Sequence, residues 1–364
     1  MENRSDKIIA YWLLTGVGML MIQIILGGIT RLTGSGLSIT EWDVVTGIIP
    51  PLNNAQWLDA FHKYQLTPQY HLLNANFTLH DFKFIFYWEW FHRLWGRIIG
   101  VVFLLPFLIF LVKRRFKLEM INFLVFLFLL GALQGAVGWI MVASGLTGEA
   151  IYVQPTKLAM HFVLATILLS YTYWFALQLL IDRQELVCNR PLKRFTWIIL
   201  VVIVIQLAFG GLMAGHKAAP AVPTWPDMNG TFIPSYVFNR PEGWLSIIDN
   251  PIVIQFIHRT LAYLLFILIC IWTVKAIKIP SGGGFKTARL FPAILVAIQL
   301  TLGVLTVLTS TRIRVTKWNI FEWMAQLHQI VAILLLLSMV LALFYLHLKQ
   351  KANSESISID RHLI

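Results

Sequence analysis

The chain of 364 residues is too apolar and too poor in charge for a water-soluble protein. Hydrophobic residues make up 58% of it and charged residues only 13%, whereas a soluble domain carries about 25% charged residues. Its mean hydropathy is +0.72. The net charge of +12 does not indicate nucleic-acid binding, because the basic residues are spread over many loop edges and form no single patch. The composition therefore predicts a membrane protein with many spans.

Eight apolar stretches follow one another, each of about 20 residues and thus long enough to cross a hydrocarbon core of roughly 30 Å. They lie at approximately 8–30, 87–112, 119–143, 157–181, 195–215, 252–274, 289–310 and 322–347. Lipid offers the backbone no hydrogen-bond partner, so each stretch is predicted to be a helix. The predicted fold class is an all-α integral membrane protein with eight transmembrane helices.

The distribution of basic residues predicts the orientation. If the N-terminus is cytoplasmic, the inner segments hold 17 of the 29 lysines and arginines, as the positive-inside rule requires. The start, MENRSDK, resembles neither a signal peptide nor a transit peptide, so we expect a bacterial inner membrane.

Cys188 and Cys270, the two cysteines, fall on the inner side. No disulfide outside the cytoplasm and no cysteine-ligated metal is therefore predicted.

The second half of the chain repeats the first. Matching residues are separated by 165 to 167 positions: Glu89 and Gln255, His92 and His258, Arg93 and Arg259, Gln134 and Gln299, Gly138 and Gly303, and His161 and His328. Four helices per half is an even number, so both halves insert the same way round. We predict two pseudo-symmetric four-helix bundles, at 1–182 and 183–364, with a long outer loop at 31–86.

One histidine lies near the outer end of every second stretch: His92, His161, His258 and His328. Neutral imidazole is a common metal ligand, and an ionisable residue inside hydrocarbon is costly enough to indicate function. A single one of them could equally be a hydrogen-bonded packing residue. Four at matched depth favour two bis-histidine metal or haem sites. Nearby helix N-termini would favour neutral imidazole and anionic haem propionates, which Arg93 and Arg259 could contact.

Glu89 marks a difference between the halves. It lies three residues before His92, on the same helix face, and its counterpart is the neutral Gln255. A Glu-x-x-His motif can belong to a di-iron site, but the second such motif is missing. An ion pair with Arg93 or Arg97 is the alternative role. The asymmetry favours a reacting site in the N-terminal half and a resident cofactor in the C-terminal half.

Five segments carry a resemblance to a known family: GGITRLTGSGLSITEWDVVTGIIPPLN from Gly27, YWEWFHRLWGRIIG from Tyr87, TWPDMNG from Thr224, QFIHRTLAY from Gln255 and AQLHQ from Ala325. In this ordered set the chain resembles the haem A synthases of alphaproteobacteria and mitochondria. The resemblance implies oxidation of the C8 methyl group of haem O to a formyl group, through successive hydroxylations and loss of water, to give haem A for terminal oxidases.

The resemblance also implies roles for the residues of both halves. It implies that His92 and His161 are the axial ligands of the substrate haem O, and that His258 and His328 hold the iron of a haem B cofactor. It implies that Glu89 is a catalytic acid or base. Many bacterial relatives carry a cysteine pair in the first outer loop; this chain has none, so a thiol step is not available to it.

The first outer loop contains one predicted helix. The segment from Asn53 to Leu66 reads as a capped amphipathic helix, either a lid over the outer haem edge or an interfacial anchor. The residues expected to face the membrane are Trp57, Leu58, Phe61 and Tyr64. Further residues could line the haem edge or anchor the interface: Arg31, Trp42, Trp225 and Asn229.

Two other classes of function remain open at this point. A di-haem electron carrier of the cytochrome b type would use both histidine pairs as permanent ligands. A haem or lipid transporter would show broken helices near the middle of the membrane, and no paired Gly/Pro interruptions are present there. The expected partners are haem O, membrane lipid and a haem O synthase, the protohaem farnesyltransferase.

Overall fold

The computed structural model describes residues 2–41, 46–238, 243–312 and 318–347, and these residues contain α-helices and no β-strand. Eight helices of this part of the chain are long and apolar enough to cross a membrane. They are α1 (Glu2–Leu32), α4 (Leu79–Val112), α5 (Leu118–Ala143), α6 (Pro155–Leu180), α7 (Arg190–Gly215), α9 (Pro251–Ile277), α11 (Phe291–Thr309) and α12 (Ile320–Tyr345). The predicted all-α integral membrane fold is confirmed.

Four shorter α-helices lie between these spans: α2 (Asn54–Gln65), α3 (Pro68–Leu73), α8 (Ser246–Asp249) and α10 (Gly283–Ala288). Six 3₁₀ helices complete the described secondary structure: Thr46–Ile48, Arg183–Glu185, Ala219–Ala221, Ser235–Val237, Gly243–Leu245 and Ser310–Arg312. These elements belong to the connections between the spans, where polar backbone groups need local hydrogen-bond partners.

The second transmembrane helix begins earlier than its apolar stretch. Thr78 and Asp81 form a capping box, each side chain accepting a hydrogen bond from the other residue's backbone N–H, and α4 therefore starts at Leu79. His92 consequently lies thirteen residues beyond the helix start, more than three turns in. Because the helix dipole acts mainly within the first turn, the expected support of His92 by a helix N-terminus is wrong.

Each half contributes four long helices that pack around one another. In the C-terminal half α7, α9, α11 and α12 form a closed ring, in which each helix packs against two neighbours. In the N-terminal half α1 packs against α4 and α6, and α6 packs against α5. The large core of the C-terminal half is built around Trp272 and Met339, which are fully buried. The boundary at 182/183 between the halves stays a prediction.

The two halves pack through equivalent helices. α6 lies against α7 and α12, and α1 lies against α12. A Cβ on Gly211 of α7 would lie 2.7 Å from Cα of Ala159, so only glycine allows this approach of the two backbones. On the other side, Gln329 of α12 donates to the backbone oxygen of Ile24 at 2.9 Å. The contact is thus apolar on one side and polar on the other.

The predicted loop helix is present, but its apolar face does not lie on the membrane. Asn53 caps α2 by accepting a hydrogen bond from the backbone N–H of Gln56, as expected. Trp57, Phe61 and Tyr64 are buried against the N-terminal turns of α4, and only Leu58 of the predicted face is exposed. The prediction of a membrane-facing stripe is therefore wrong for three of its four residues, because α4 extends far enough outward to cover them.

Burial in this cluster has a consequence for Tyr64. It raises the pKa of the phenol to about 12, so the hydroxyl stays protonated at neutral pH. The hydroxyl donates to Gln69 Oε1 at 3.1 Å and accepts a hydrogen bond from Asn74 Nδ2 at 2.6 Å. These bonds tie α2 to α3 and give the outer loop a fixed core.

Candidate functional site

Each of the four histidines packs against a glycine of the preceding long helix. The pairs are Gly27 with His92, Gly138 with His161, Gly210 with His258, and Gly303 with His328. A Cβ on these glycines would lie between 2.7 and 3.5 Å from the imidazole Cε1 atom. The absence of a side chain lets the imidazole lie directly against the neighbouring backbone, which fixes where the ring can point.

A glutamine lies one turn before each of these glycines: Gln23, Gln134, Gln206 and Gln299. Its carboxamide nitrogen is 3.2 to 3.4 Å from a ring nitrogen of the histidine. In three cases the same nitrogen donates to the backbone carbonyl of the histidine at 3.1 or 3.2 Å. Sequence reasoning paired only Gln134 with Gln299; the signal for all four was Gln-x-x-x-Gly, which occurs once in each preceding helix.

The C-terminal histidines face each other. The ring centroids of His258 and His328 are 6.3 Å apart, with the ring planes at 71°. Two imidazoles that bind one metal ion through nitrogens about 2 Å from it have centroids about 6 Å apart. In the N-terminal half His92 on α4 and His161 on α6 lie within electrostatic range of each other. The structure thus brings the histidines together in the two predicted pairs.

These residues fit a haem iron better than a bare metal ion. The described part of the chain has no group of three or more His, Cys, Asp or Glu side chains that could hold an ion. A haem iron needs only two ligands from the protein, and each pair would supply two imidazoles. Nδ1 of His258 and the Oε1 atoms of Gln206 and Gln299 are buried without a hydrogen-bond partner in the described residues. Such orphaned atoms are rare unless a ligand or water satisfies them.

Glu89 is held by three donors and is 2% exposed. Its carboxylate accepts hydrogen bonds from Ser38 Oγ at 2.7 Å and from the backbone N–H of Ile39 at 2.9 Å. It also forms an ion pair with Arg93 Nη2 at 2.6 Å, which is one of the alternatives that the sequence left open. The carboxylate therefore joins α4 to the segment that follows α1.

Arg93 and Arg259, the arginines beside the histidines, form hydrogen bonds that join the outer connecting segments to the helices. Arg93 donates to the backbone oxygens of Ile39 and Glu41 at 3.1 and 3.2 Å. Arg259 donates to those of Val222 and Asp227 at 2.9 and 3.0 Å. Their predicted contact with haem propionates stays a prediction. What sequence reasoning missed is their shared structural role, which follows from their equivalent places in the repeat.

Gln255, the counterpart of Glu89, donates a hydrogen bond where Glu89 accepts them. Gln255 is fully buried, and its Nε2 donates to the backbone oxygen of Val222 at 2.9 Å. The carboxylate of Glu89 can only accept hydrogen bonds while it is ionised, whereas this amide donates. The same place in the two halves thus holds an ionisable side chain in one and a neutral amide in the other.

Other residues proposed for the outer haem edge have partners within the protein. Arg31 donates through Nε to the backbone oxygen of Ala214 at 2.8 Å, across the contact between the halves. Trp225 donates through its indole N–H to Tyr263, and Asn229 donates through its amide to the backbone oxygen of Ala221. Trp42 lies outside the described residues. A role of these residues at a haem edge stays a prediction.

Comparison with known proteins identifies the family. The model of the COX15-CtaA family, described as cytochrome oxidase assembly protein, matches residues 10–340. The chain belongs to this family. A protein named haem A synthase from Flavobacterium psychrophilum is 40% identical over 337 residues, which cover 92% of this chain and 96% of that protein. One of the same name from Bradyrhizobium diazoefficiens is 40% identical over 352 residues, covering 96% of this chain and 94% of the relative.

A third relative shows the same degree of likeness. The haem A synthase of Cereibacter sphaeroides is 40% identical over 344 residues, which cover 90% of this chain and 85% of that protein. The match to the COX15-CtaA family spans both histidine pairs and all eight transmembrane helices at least in part. The resemblance to haem A synthases that the five sequence segments indicated is thereby confirmed.

Proposed function

We propose that this protein is a haem A synthase, a membrane oxidoreductase that converts the C8 methyl group of haem O to the formyl group of haem A. The observation that carries this function is the likeness to proteins named haem A synthase at about 40% identity over nearly the whole chain. The two glutamine-supported histidine pairs provide the haem-binding chemistry that such a reaction needs.

The two halves take different haems in this proposal. His258 and His328 of the C-terminal half, 183–364, hold the iron of haem B as a resident cofactor. His92 and His161 of the N-terminal half, 1–182, are the axial ligands of the substrate haem O. The difference between Glu89 and Gln255 supports this division, because only the N-terminal half has an ionisable side chain at that place. Haem B, when bound, supplies one-electron redox chemistry.

In this proposal the glutamines orient the histidine ligands, and Glu89 transfers protons. Each glutamine holds its histidine through the backbone carbonyl or the ring, so the imidazole is oriented before a haem arrives. Glu89 is proposed as the catalytic acid or base. Its carboxylate is held in place by Ser38, Ile39 and Arg93, and such fixed placement is what general acid–base catalysis requires.

The protein is a multi-pass membrane protein, and its orientation is part of the proposal. Both termini are cytoplasmic and the haem sites lie toward the periplasmic side of a bacterial inner membrane, in keeping with the basic residues of the inner segments. The proposed partner is a haem O synthase, which would deliver haem O within the membrane because haem O is too apolar to cross water freely. The histidine pairs lie in membrane helices, where a lipid-borne substrate can reach them.

The function is tested by expressing the protein in a host that makes haem O and no haem A. Extraction and chromatography of haem from the membranes should then show haem A, and the purified protein should hold one haem B together with haem O or haem A. A His92→Ala/His161→Ala variant at equal protein level serves as the control and should make no haem A. Two haems B per protein with no haem A in the membranes would instead identify a di-haem electron carrier.

A further inference from the structure

The two contacts that join the halves are related by the repeat but differ in polarity. Gly28 of α1 and Gly211 of α7 stand at matching positions, each directly after the glycine that contacts a histidine. A Cβ on Gly211 would meet Ala159 of α6, whereas a Cβ on Gly28 would meet the side-chain oxygens of Gln326 and Gln329 of α12. Each glycine thus admits the last helix of the other half, and the difference lies in the side chains of that helix.

One face of α12 is polar where the matching face of α6 is apolar. Glu322, Gln326 and Gln329 follow one another at spacings of four and three residues, which places them on one side of the helix. Glu322 and Gln326 are 3% and 4% exposed. The matching positions of α6, 167 residues earlier, hold apolar side chains: Pro155, Ala159 and Phe162. We call Glu322, Gln326 and Gln329 the polar face of α12.

The two amides of the polar face make fewer hydrogen bonds than they could. Gln329 Nε2 donates to the backbone oxygen of Ile24 at 2.9 Å, and Gln326 Nε2 to that of Ile25 at 3.4 Å. The amide oxygens consequently point toward Gly28. Oε1 of Gln326 is buried and has no partner among the described residues. Such an acceptor costs free energy, so stability does not explain why these positions are polar.

Glu322 adds a charge to the polar face. Its Oε2 accepts a hydrogen bond from the backbone N–H of Asn319 at 2.9 Å, and its carboxylate attracts Arg31 of α1. Glu322 lies six residues before His328, about 9 Å along the helix axis. Ferric haem iron carries one more positive charge than ferrous iron, so a nearby carboxylate favours the ferric state of a haem at His328.

His328 also has a hydrogen bond that the other three histidines lack. Its Nδ1 is 3.1 Å from the backbone oxygen of Gln299, which places the proton on Nδ1 and leaves Nε2 unprotonated, as a metal ligand must be. The ring nitrogens of His92, His161 and His258 form no bond to a backbone oxygen within the described residues. Donation to a carbonyl makes an imidazole a more basic ligand, which again favours ferric iron.

We propose that the polar face of α12 lowers the redox potential of the haem held by His258 and His328, and so makes this haem the electron donor to the haem at the N-terminal pair. In this transfer the C-terminal iron passes from ferrous to ferric and the N-terminal iron from ferric to ferrous. The inference rests on the proposed function, because it takes both histidine pairs as haem ligands.

Position and surroundings support this role. Gln326 and Gln329 flank His328 in the sequence, so their side chains lie within about one helix diameter, 10–12 Å, of it. At the same distance from His161 the matching face of α6 is apolar. Apolar surroundings disfavour the additional charge of ferric iron, and local polarity is one of the means by which a protein sets a haem potential. The two pairs should therefore differ in potential although their ligands are the same.

The test measures the redox potential of bound haem B by potentiometric titration of the purified protein, followed through its low-spin absorption. Glu322→Gln removes the charge and can keep the capping box, because glutamine accepts the same backbone N–H. Gln326→Met/Gln329→Met removes the polar atoms of both amides and keeps an unbranched side chain. Phe162→Met is the matched control, because Phe162 stands at the position of α6 that corresponds to Gln329.

Glu322→Gln should raise the potential by about 59 mV, which is a tenfold change in the equilibrium constant of a one-electron reduction. A unit charge roughly 10 Å away has an effect of about this size at an effective dielectric constant of about 20. The double methionine variant should change the same constant in the same direction by about threefold or more. Phe162→Met should leave it unchanged. All variants should keep the low-spin spectrum, because both histidines remain.

An unchanged or lower potential in either Glu322→Gln or the double methionine variant, with haem B still bound, would overturn the proposal. If one of the two variants loses haem B, the other decides. An equal rise in Phe162→Met would also overturn it, because the effect would then not belong to the polar face.

The potential is measured without reference to haem A formation. A protein that shows these shifts but makes no haem A would refute the proposed enzyme and leave the role of the polar face standing. A protein that makes haem A while its variants keep the original potential would refute only the inference about the polar face. The two failures are therefore distinguishable.

Discussion

Replacing Glu89 by glutamine separates the structural and the chemical roles of this carboxyl group. The glutamine has nearly the same shape and makes the N-terminal half resemble the C-terminal half, where Gln255 stands at this place. It keeps one oxygen acceptor but presents an amide N–H₂ to a site where Ser38, Ile39 and Arg93 all donate. We expect the variant to keep both haem sites and to lose most of its haem A production.

The structure gives the range in which Glu89→Gln should lower the free energy of unfolding. The ion pair of Glu89 and Arg93 is almost completely buried, and removing one partner of a buried pair costs about 3–5 kcal/mol. Arg93 keeps its bonds to the backbone oxygens of Ile39 and Glu41, so we expect a value at the lower end, about 3 kcal/mol. A proton-transferring group contributes a rate factor of about 10²–10⁴, and the activity of folded protein should fall by that factor.

The assay measures haem A formed per folded protein. Membranes with equal amounts of the variant are extracted, and haem O, hydroxylated haem and haem A are separated by chromatography. Ser38→Ala is the matched control, because it removes one hydrogen bond to the same carboxylate, about 2 kcal/mol, and leaves the ionisable group in place. Haem O or a hydroxylated haem should accumulate with Glu89→Gln, and Ser38→Ala should retain most activity.

Near-normal haem A production by the Glu89→Gln variant would refute the reasoning and reduce Glu89 to a structural ion pair. Equal losses in Glu89→Gln and Ser38→Ala would point the same way, because the serine does not exchange the proton that the mechanism needs. A thermal melt of both variants, followed through the absorption of bound haem B, distinguishes a loss of folded protein from a loss of chemistry.

Three further predictions concern haem binding and the packing of the halves. His328→Ala should remove the resident haem B from purified protein and abolish activity; an unchanged haem B spectrum would contradict the assignment. His161→Ala should weaken haem O binding by at least tenfold in a titration while haem B stays, and loss of both haems from folded protein would argue for one shared site. Gly211→Val would push side-chain atoms against the backbone of Ala159, so the melting temperature of this variant should fall well below that of the Gly18→Val control, whose added side chain meets open space. Equal melting temperatures would show that this contact does not join the halves.

The amino-acid sequence by itself determined the membrane fold and the repeat. Hydrocarbon leaves the backbone no partner but itself, so apolar stretches of sufficient length become helices whatever their surroundings. A repeat keeps equivalent residues at the same depth in the membrane. The sequence alone therefore shows the constant spacing between the two histidine pairs and the replacement of Glu89 by Gln255 in the second half. The family was equally accessible, since its five segments extend over nearly the whole chain.

The contacts between helices were decided only by the tertiary structure. That Gln23 meets His92 depends on the rotation and distance of α1 relative to α4, which no period along one helix specifies. The loop helix buries Trp57 against α4 because that helix is capped at Thr78, well outside its apolar stretch.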